Sequence, residues 1–128
     1  MRLLLDSNVL MWALAEPHRL SVKIRADLED RGNEILFSAA SVWEIAIKAA
    51  AKPGSVPLDA QEVFAFALET GFKELPVRAA VARHVANLPL LHRDPFDRIL
   101  VAQAMAEPAI LLTSDAKLQA YSELVRLV

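Results

Sequence analysis

The sequence contains no cysteine, which excludes disulfide bonds and thiolate-ligated metal sites, so we expect a protein of the reducing cytoplasm. It has no apolar run near the roughly 18–20 residues that a membrane-spanning helix needs, and Asp6 interrupts the first apolar run. We therefore expect neither a membrane partner nor a signal peptide. A formal net charge of −2 excludes a strong hold on nucleic acid through bulk charge, so any such role must be local. The sequence has 128 residues, of which 55% are hydrophobic and 23% are charged. This composition predicts one globular domain, residues 1–128.

Short apolar segments alternate with helical patterns along the chain. Runs with the length of buried strands occur at residues 2–5, 34–37, 109–113 and 125–128, with a weaker one at 72–75. Helical patterns occur at residues 9–15, 22–31, 41–51, 60–70, 77–88 and 98–107. Continuously apolar strands that alternate with helices are typical of a parallel sheet covered on both faces. The sequence therefore predicts an α/β fold, a three-layer α/β/α domain with a short central parallel sheet.

Acidic residues gather where the predicted strands end. Asp6 and Asp115 directly follow strands, and Glu44 lies in the second turn of the helix after another strand. Asp94 and Asp97 stand at the start of the last helical pattern. Because the loops after parallel strands converge on one edge of the sheet, we expect several of these carboxylates to lie together there.

Each of these acids also has an ordinary structural explanation. Asp6 and Asp115 are favoured residue types for capping the helices that follow them. Asp94 precedes a proline at the first helical position, which is typical of a helix start. Glu44 stands four residues before Lys48, in the orientation of a stabilising pair on a helix surface. Taken alone, each acid is explained at least as well by local structure as by a binding site.

The convergence of several acids favours a metal site. Carboxylates within ~4–8 Å of one another at low dielectric repel, and without a cation some of them take up protons. An all-oxygen carboxylate site suits Mg²⁺ or Mn²⁺, and an ion held in this way typically acts on phosphates. The three histidines, His18, His84 and His92, do not have the spacing of a zinc site. We therefore expect Mg²⁺ or Mn²⁺ as the cofactor.

Four segments, residues 3–12, 38–48, 92–104 and 111–121, resemble the four acidic motifs of PIN-domain ribonucleases, and most closely those of VapC-like toxins from bacterial toxin–antitoxin pairs. They stand in the family's order and span nearly the whole chain. The resemblance implies a PIN-like domain with Mg²⁺- or Mn²⁺-dependent endoribonuclease activity, held inactive by a cognate antitoxin and usually homodimeric. The acids that it assigns to catalysis and metal binding are Asp6, Glu44, Asp97 and Asp115.

Two details of the motifs bear on these assignments. Asp97, rather than Asp94, occupies the family's third acidic position, directly before the helical segment at 99–104. The chain departs from the family pattern at Ser7 and Asn8, where many relatives have Thr-His. Ser7 keeps the hydroxyl while Asn8 lacks an imidazole, so the acidic set is intact and the change bears on substrate positioning.

Polar residues flank the acids in the same motifs. Arginines are concentrated between residues 78 and 98, and guanidinium groups suit bidentate contacts with RNA phosphates. The candidate substrate contacts are Ser7, Lys48, Arg93, Arg98 and Ser114. Lys48 and Arg98 also have an alternative explanation, as ion-pair partners of carboxylates. The apolar helix at 60–72 is a candidate surface for the antitoxin or for a second subunit.

Two other functions compete with the nuclease. A phosphohydrolase of another α/β class typically has Asp-x-Asp after the first strand, and Asn8 stands in the place of the second aspartate. In a non-catalytic binding module the acids would only cap helices. A titration with Mn²⁺ would then show no specific site.

Overall fold

A computed structural model describes all 128 residues and contains one parallel sheet of five strands, in the order β3-β2-β1-β4-β5. The strands are β1 (Arg2–Leu5), β2 (Glu34–Ser38), β3 (Lys73–Leu75), β4 (Ile110–Thr113) and β5 (Val125–Leu127). Leu4 lies at the centre, in register with Leu36 of β2 and Leu111 of β4. The weaker strand expected at 72–75 is present as β3, at one edge of the sheet. The predicted α/β class and parallel sheet are confirmed.

Helices connect the strands. They are α1 (Ser7–Ala15), α2 (Val22–Glu29), α3 (Ala39–Ala51), α4 (Ala60–Thr70), α5 (Ala79–Ala82) and α6 (Pro95–Ala106). Three 3₁₀ segments lie at Pro17–Arg19, Arg83–Asn87 and Ala116–Ala120. None of the helices combines the length and the apolar character needed to cross a membrane.

Local sequence sets several helix boundaries. Ser21 and Ser38 cap α2 and α3, because each hydroxyl accepts a hydrogen bond from a backbone N–H of the first turn. Asp59 and Glu62 form a reciprocal capping box at the start of α4. Gly71 ends α4 at a φ of 91°, a left-handed conformation that glycine adopts without steric cost. These short-range signals fix where the connecting helices begin and end.

The two faces of the sheet bury separate apolar clusters. Successive residues of a strand point to opposite faces, so Leu3 and Leu5 pack on one side while Leu4 packs on the other. The first side also buries Phe37 together with residues of α1, α2, α3 and α4. The second side buries Leu100 and other residues of α6. The result is the predicted arrangement of three layers, with the carboxyl ends of β1, β2 and β4 side by side.

The helix predicted over residues 77–88 is wrong in its second half. Only the four residues of α5 are α-helical, and a 3₁₀ segment, Arg83–Asn87, follows. The carbonyl oxygens of Val85 and Leu88 accept hydrogen bonds from the Arg98 side chain, at 3.0 and 3.3 Å. The carbonyl oxygens at the end of this segment therefore bind a guanidinium that is distant in sequence. The local periodicity of residues 77–88 does not reveal this contact.

Candidate active site

Asp6 lies at the junction of β1, α1 and the end of β4. Its Oδ1 accepts a hydrogen bond from the backbone N–H of Val9 at 2.8 Å, so it caps α1. Its Oδ2 accepts hydrogen bonds from the Thr113 hydroxyl at 2.6 Å and from the Ser114 backbone N–H at 3.3 Å. The residue is 4% exposed, and this burial raises the pKa of Asp6, with a smaller contribution from the charge of Glu44. Asp6 is thus both a helix cap and a buried acid at the carboxyl edge of the sheet.

Glu44 lies in the second turn of α3 and is 7% exposed. Its Oε1 accepts a 2.5 Å hydrogen bond from the hydroxyl of Ser7, at the start of α1. Its Oε2 lies 3.0 Å from Nζ of Lys48, so the predicted i,i+4 ion pair is present. The Lys48 side chain is about half exposed, whereas its partner is buried. Ser7 and Lys48 therefore orient a buried carboxylate from two different helices.

Asp94 and Asp97 are close in sequence but differ in environment. Asp94 caps α6 as predicted, because its Oδ1 accepts hydrogen bonds from the backbone N–H groups of Phe96 at 2.9 Å and of Asp97 at 3.5 Å. Burial and, after it, the nearby charges of Asp94, Asp6 and Glu44 together raise the pKa of Asp97 to about 7. Asp97 therefore lies within electrostatic reach of the two acids that precede it in the chain.

His92 links Asp97 to Asp115. Its Nε2 lies 2.7 Å from Oδ2 of Asp115 and 3.6 Å from Oδ2 of Asp97. The other oxygen of Asp115, Oδ1, accepts a 3.0 Å hydrogen bond from the backbone N–H of Lys117 and so caps the 3₁₀ segment after β4. This amide, and the hydrogen bond from His92, lower the pKa of Asp115. One potential ligand atom from each of His92, Asp97 and Asp115 lies within 4.8 Å of the other two.

The acids thus form two adjoining groups. Asp6 and Glu44 are buried beside the ends of β1 and β4, while Asp97 and Asp115 share His92. Asp97 is also within electrostatic reach of the first group, because the charges of Asp6 and Glu44 contribute to its raised pKa after burial and the charge of Asp94. The contact of His92 with Asp115 was not predicted from the sequence. That contact joins residues 23 positions apart and is made by the tertiary fold alone.

A family model of the PIN domain matches residues 3–124 of the chain. The chain belongs to the PIN-domain family. Members of this family are generally nucleases. No curated protein sequence matches this PIN domain to a significant degree.

Two solved structures share the fold of this PIN domain. A chain of VapBC2 from Rickettsia felis, in a structure bound to a DNA fragment from their promoter, has a TM-score of 0.74 at 19% identity. That likeness covers 100% of this PIN domain and 98% of the other chain. A chain of FitAcB from Neisseria gonorrhoeae has a TM-score of 0.58 at 22% identity, covering 98% and 95% respectively. At these identities the likeness establishes the fold and not the activity.

Within the PIN domain, Arg98 differs from the other candidate substrate contacts. Its guanidinium donates hydrogen bonds to the carbonyl oxygens of Val85, Leu88 and Pro89 and to the hydroxyl of Tyr121, at 3.0–3.3 Å. Arg98 forms no ion pair with a carboxylate, so the ion pair suggested as an alternative from the sequence is absent. Both terminal nitrogens donate hydrogen bonds inside the protein, so Arg98 secures the segment before α6.

The remaining flanking residues lie at the rim of the acidic site. Arg93 is exposed. Ser114 receives a weak 3.4 Å hydrogen bond from Nδ2 of Asn8, and its backbone N–H binds Asp6. The amide of Asn8, at the position where many relatives have histidine, thus contacts the residue that follows β4.

The donor set of the PIN domain fits a hard divalent cation. Burial and mutual repulsion raise the pKa values of Asp6 and Asp97, so either protons or a cation must offset their charge. The Lys48 ammonium pairs with Glu44 and leaves Asp6 without a basic partner. Clustered carboxylate oxygens in this state are the ligands that Mg²⁺ and Mn²⁺ prefer.

Proposed function

We propose that the chain is a metal-dependent endoribonuclease and the toxin of a toxin–antitoxin pair. The observation that carries the proposal is the set of acids at the carboxyl edge of a PIN-domain sheet: potential ligand atoms of Asp97 and Asp115 lie within 4.8 Å of each other, and Asp6 and Glu44 are buried nearby. Burial and mutual repulsion there raise the pKa of Asp97 to about 7. Carboxylates are acceptors only and repel phosphate, so this arrangement supports metal binding ahead of direct contact with RNA.

We assign the metal ion to the four motif acids. They are Asp6, Glu44, Asp97 and Asp115. When bound, Mg²⁺ or Mn²⁺ supplies Lewis-acid activation of the phosphodiester and of water. The protein contributes the orientation of the carboxylates through their hydrogen bonds: Ser7 and Lys48 hold Glu44, and Thr113 holds Asp6.

RNA contacts are assigned to the polar rim of the site. Lys48 and Arg93 are exposed cations within the motifs, and their charges suit the phosphates of the RNA backbone. The hydroxyl of Ser114 can form a hydrogen bond with the RNA backbone. The hydroxyl of Ser7 can do the same if it gives up its hydrogen bond to Glu44. We propose a cytoplasmic location for this activity, where RNA is available as a substrate.

The antitoxin is assigned to the exposed apolar side chains of α4. Phe64, Phe66 and Leu68 are each about 40–50% exposed, and they lie in the segment expected from the sequence to bind a partner. The likeness to VapBC2 and FitAcB, together with the motif resemblance to VapC-like toxins, supports a protein partner of this class. Phe64 and Leu68, four residues apart, share one flank of α4, which the apolar face of an amphipathic antitoxin helix would cover, while Phe66 lies on the other flank.

A homodimer is supported by a second apolar surface, between α3 and α6. Trp43 is 64% exposed and packs edge-on against Phe96, with ring centroids 5.2 Å apart. Ile47, Val77 and Ile99 line the same groove, whose volume is about 580 Å³. We propose that this face contacts a second copy of the chain, because an apolar patch with an exposed tryptophan is typical of subunit interfaces.

Cleavage assays with and without metal test the proposed function. The purified chain, separated from any antitoxin, should cleave RNA with Mg²⁺ or Mn²⁺ and stop on addition of EDTA. Asp6→Asn should abolish cleavage, whereas Arg93→Ala should weaken RNA binding and leave Mn²⁺ binding intact. Cleavage that persists in EDTA or in the Asp6→Asn variant would exclude the mechanism. A chain that binds no Mn²⁺ and cleaves no RNA would instead be the non-catalytic binding module. Membership of the PIN-domain family already disfavours a phosphohydrolase of another α/β class.

A further inference from the structure

His92 lies where it could bind a metal ion, but its hydrogen bonds are not those of a metal ligand. Its ring is 17% exposed and lies between Asp97 and Asp115. Its Nε2, Oδ2 of Asp97 and a carboxylate oxygen of Asp115 are close enough together to hold an ion. The distances alone would therefore add an imidazole to the set of acids.

The backbone N–H of Asp94 decides the tautomer of this ring. That N–H donates a 3.0 Å hydrogen bond to Nδ1 of His92. An N–H group requires a lone pair on the atom that it faces, so Nδ1 carries no proton. In the neutral imidazole the proton must then be on Nε2, which lies 2.7 Å from Oδ2 of Asp115. Nε2 has no lone pair left for a metal ion.

A rotation of the ring does not restore a ligand at this place. Turning the imidazole by 180° would exchange each nitrogen with a carbon, so Asp94 N–H would lose its acceptor and Asp115 would face C–H. The backbone of His92 is also held, because its N–H donates to the Tyr121 hydroxyl at 2.9 Å. Two hydrogen bonds and an anchored backbone thus favour the observed orientation.

We propose that His92 is a positioning residue for Asp115 and not a ligand of the metal ion. The proposal rests on the function proposed above. Both oxygens of Asp115 are held, Oδ1 by the backbone N–H of Lys117 and Oδ2 by Nε2–H of His92. Without His92 this partly exposed carboxylate keeps only the hydrogen bond from the Lys117 N–H, and the orientation of Oδ2 is no longer fixed. Partners that orient metal-binding groups in this way typically contribute 10–100-fold to metal affinity.

Two substitutions separate the contacts of the ring. His92→Gln places an amide N–H at the position of Nε2 and keeps the donor to Asp115. His92→Asn places an amide oxygen near the position of Nδ1, keeps the acceptor for Asp94 N–H, and is too short to reach Asp115. If His92 positions Asp115, Mn²⁺ affinity measured by calorimetry should be nearly unchanged in His92→Gln and about 10–100-fold weaker in His92→Asn. If the imidazole is a ligand, both variants should lose affinity alike, which would overturn the proposal.

The tautomer itself is measurable in the unaltered protein. Two-dimensional ¹⁵N–¹H NMR of the imidazole should show the Nε2–H form of His92 both in EDTA and with saturating Mg²⁺. The Nε2–H signal should move in Asp115→Asn, since the acceptor loses its charge. An Nδ1–H tautomer in the Mg²⁺-loaded protein would overturn the proposal. If the wild type binds no Mn²⁺ at all, the proposed function fails, and the Nε2–H tautomer with its response to Asp115→Asn still decides whether His92 holds Asp115.

Discussion

Thr113, the last residue of β4, donates a 2.6 Å hydrogen bond to Oδ2 of Asp6 from a fully buried hydroxyl. The same hydroxyl accepts a 3.0 Å hydrogen bond from the backbone N–H of Asp115. One side chain therefore connects two of the four motif acids across neighbouring strands. Its position between them makes it a structural determinant of the site, although it carries no charge.

We predict that Thr113→Val destabilises the protein by about 1–3 kcal/mol, the usual cost of leaving buried polar groups without partners. Valine has the shape of threonine, but it leaves the Asp115 N–H without an acceptor and leaves Oδ2 of Asp6 with only the 3.3 Å hydrogen bond from the Ser114 N–H. Thr113→Ser keeps the hydroxyl and is the matched control. Urea unfolding and RNA cleavage should both show a larger loss in the valine variant. Equal stability and activity of the two variants would show that the hydroxyl does not hold the acids.

The sequence predicts where the acids of this site lie in the chain and which helices they cap, but not the contacts between them. Asp6, Asp94 and Asp115 all cap the elements that follow them, because capping depends on residues two or three positions apart. The roles of Thr113 and His92 depend on contacts with residues that are distant in sequence. Periodicity and spacing describe only neighbours along the chain, so these contacts stay hidden until the fold is known.

The segment before α6 illustrates the same limit. Residues 77–88 have a helical pattern, yet α5 ends at Ala82, and the carbonyl oxygens of Val85 and Leu88 beyond it accept hydrogen bonds from Arg98. The charge of Arg98 was visible in the sequence and allowed either a phosphate contact or an ion pair with a carboxylate. Only the structure shows that it donates to internal carbonyl oxygens.

The stability of the metal-free protein should fall as the pH rises from about 4 to about 7. The pKa of Asp97 is near 7 in the folded chain and 3.8 in the reference state, so the folded state binds the proton more tightly. Unfolding in this range releases a proton, and the free energy of unfolding therefore decreases with pH. The total change is at most about 4 kcal/mol, at 1.36 kcal/mol per pKa unit. Burial of Asp6 acts in the same direction.

Urea unfolding in EDTA at pH 5, 6, 7 and 8 measures this dependence. Asp97→Asn should flatten the profile, and saturating Mn²⁺ should restore stability at the upper end, because a bound cation offsets the repulsion. The lowered pKa of Asp115 works in the opposite sense, since its stabilising effect is lost only as the pH falls below about 4. The titration of Asp115 therefore does not affect the slope of stability between pH 5 and pH 8. Identical slopes for wild type and Asp97→Asn would mean that Asp97 is not a repelled acid.

The two aspartates at the start of α6 should respond differently to substitution. Asp97→Asn keeps the shape, removes the charge, and should abolish RNA cleavage and toxicity without loss of stability. Asp94→Ala should cost about 0.5–2 kcal/mol, the range for losing a helix cap. Asp94→Ser keeps a capping hydroxyl and should retain both stability and cleavage. A folded Asp94→Ser variant as inactive as Asp97→Asn would place Asp94 in the catalytic set.

Arg98→Lys tests whether this arginine secures the fold or binds RNA. Lysine keeps the positive charge, but a single ammonium does not span acceptors on Val85, Leu88, Pro89 and Tyr121 as the planar guanidinium does. Some of these carbonyls would be left without a donor, so we expect a loss of about 1–3 kcal/mol in urea unfolding. The dependence of RNA binding on salt should stay the same, because no phosphate contact is removed. A direct phosphate role predicts the reverse pattern: unchanged stability with weaker RNA binding, since lysine does not reproduce a bidentate contact.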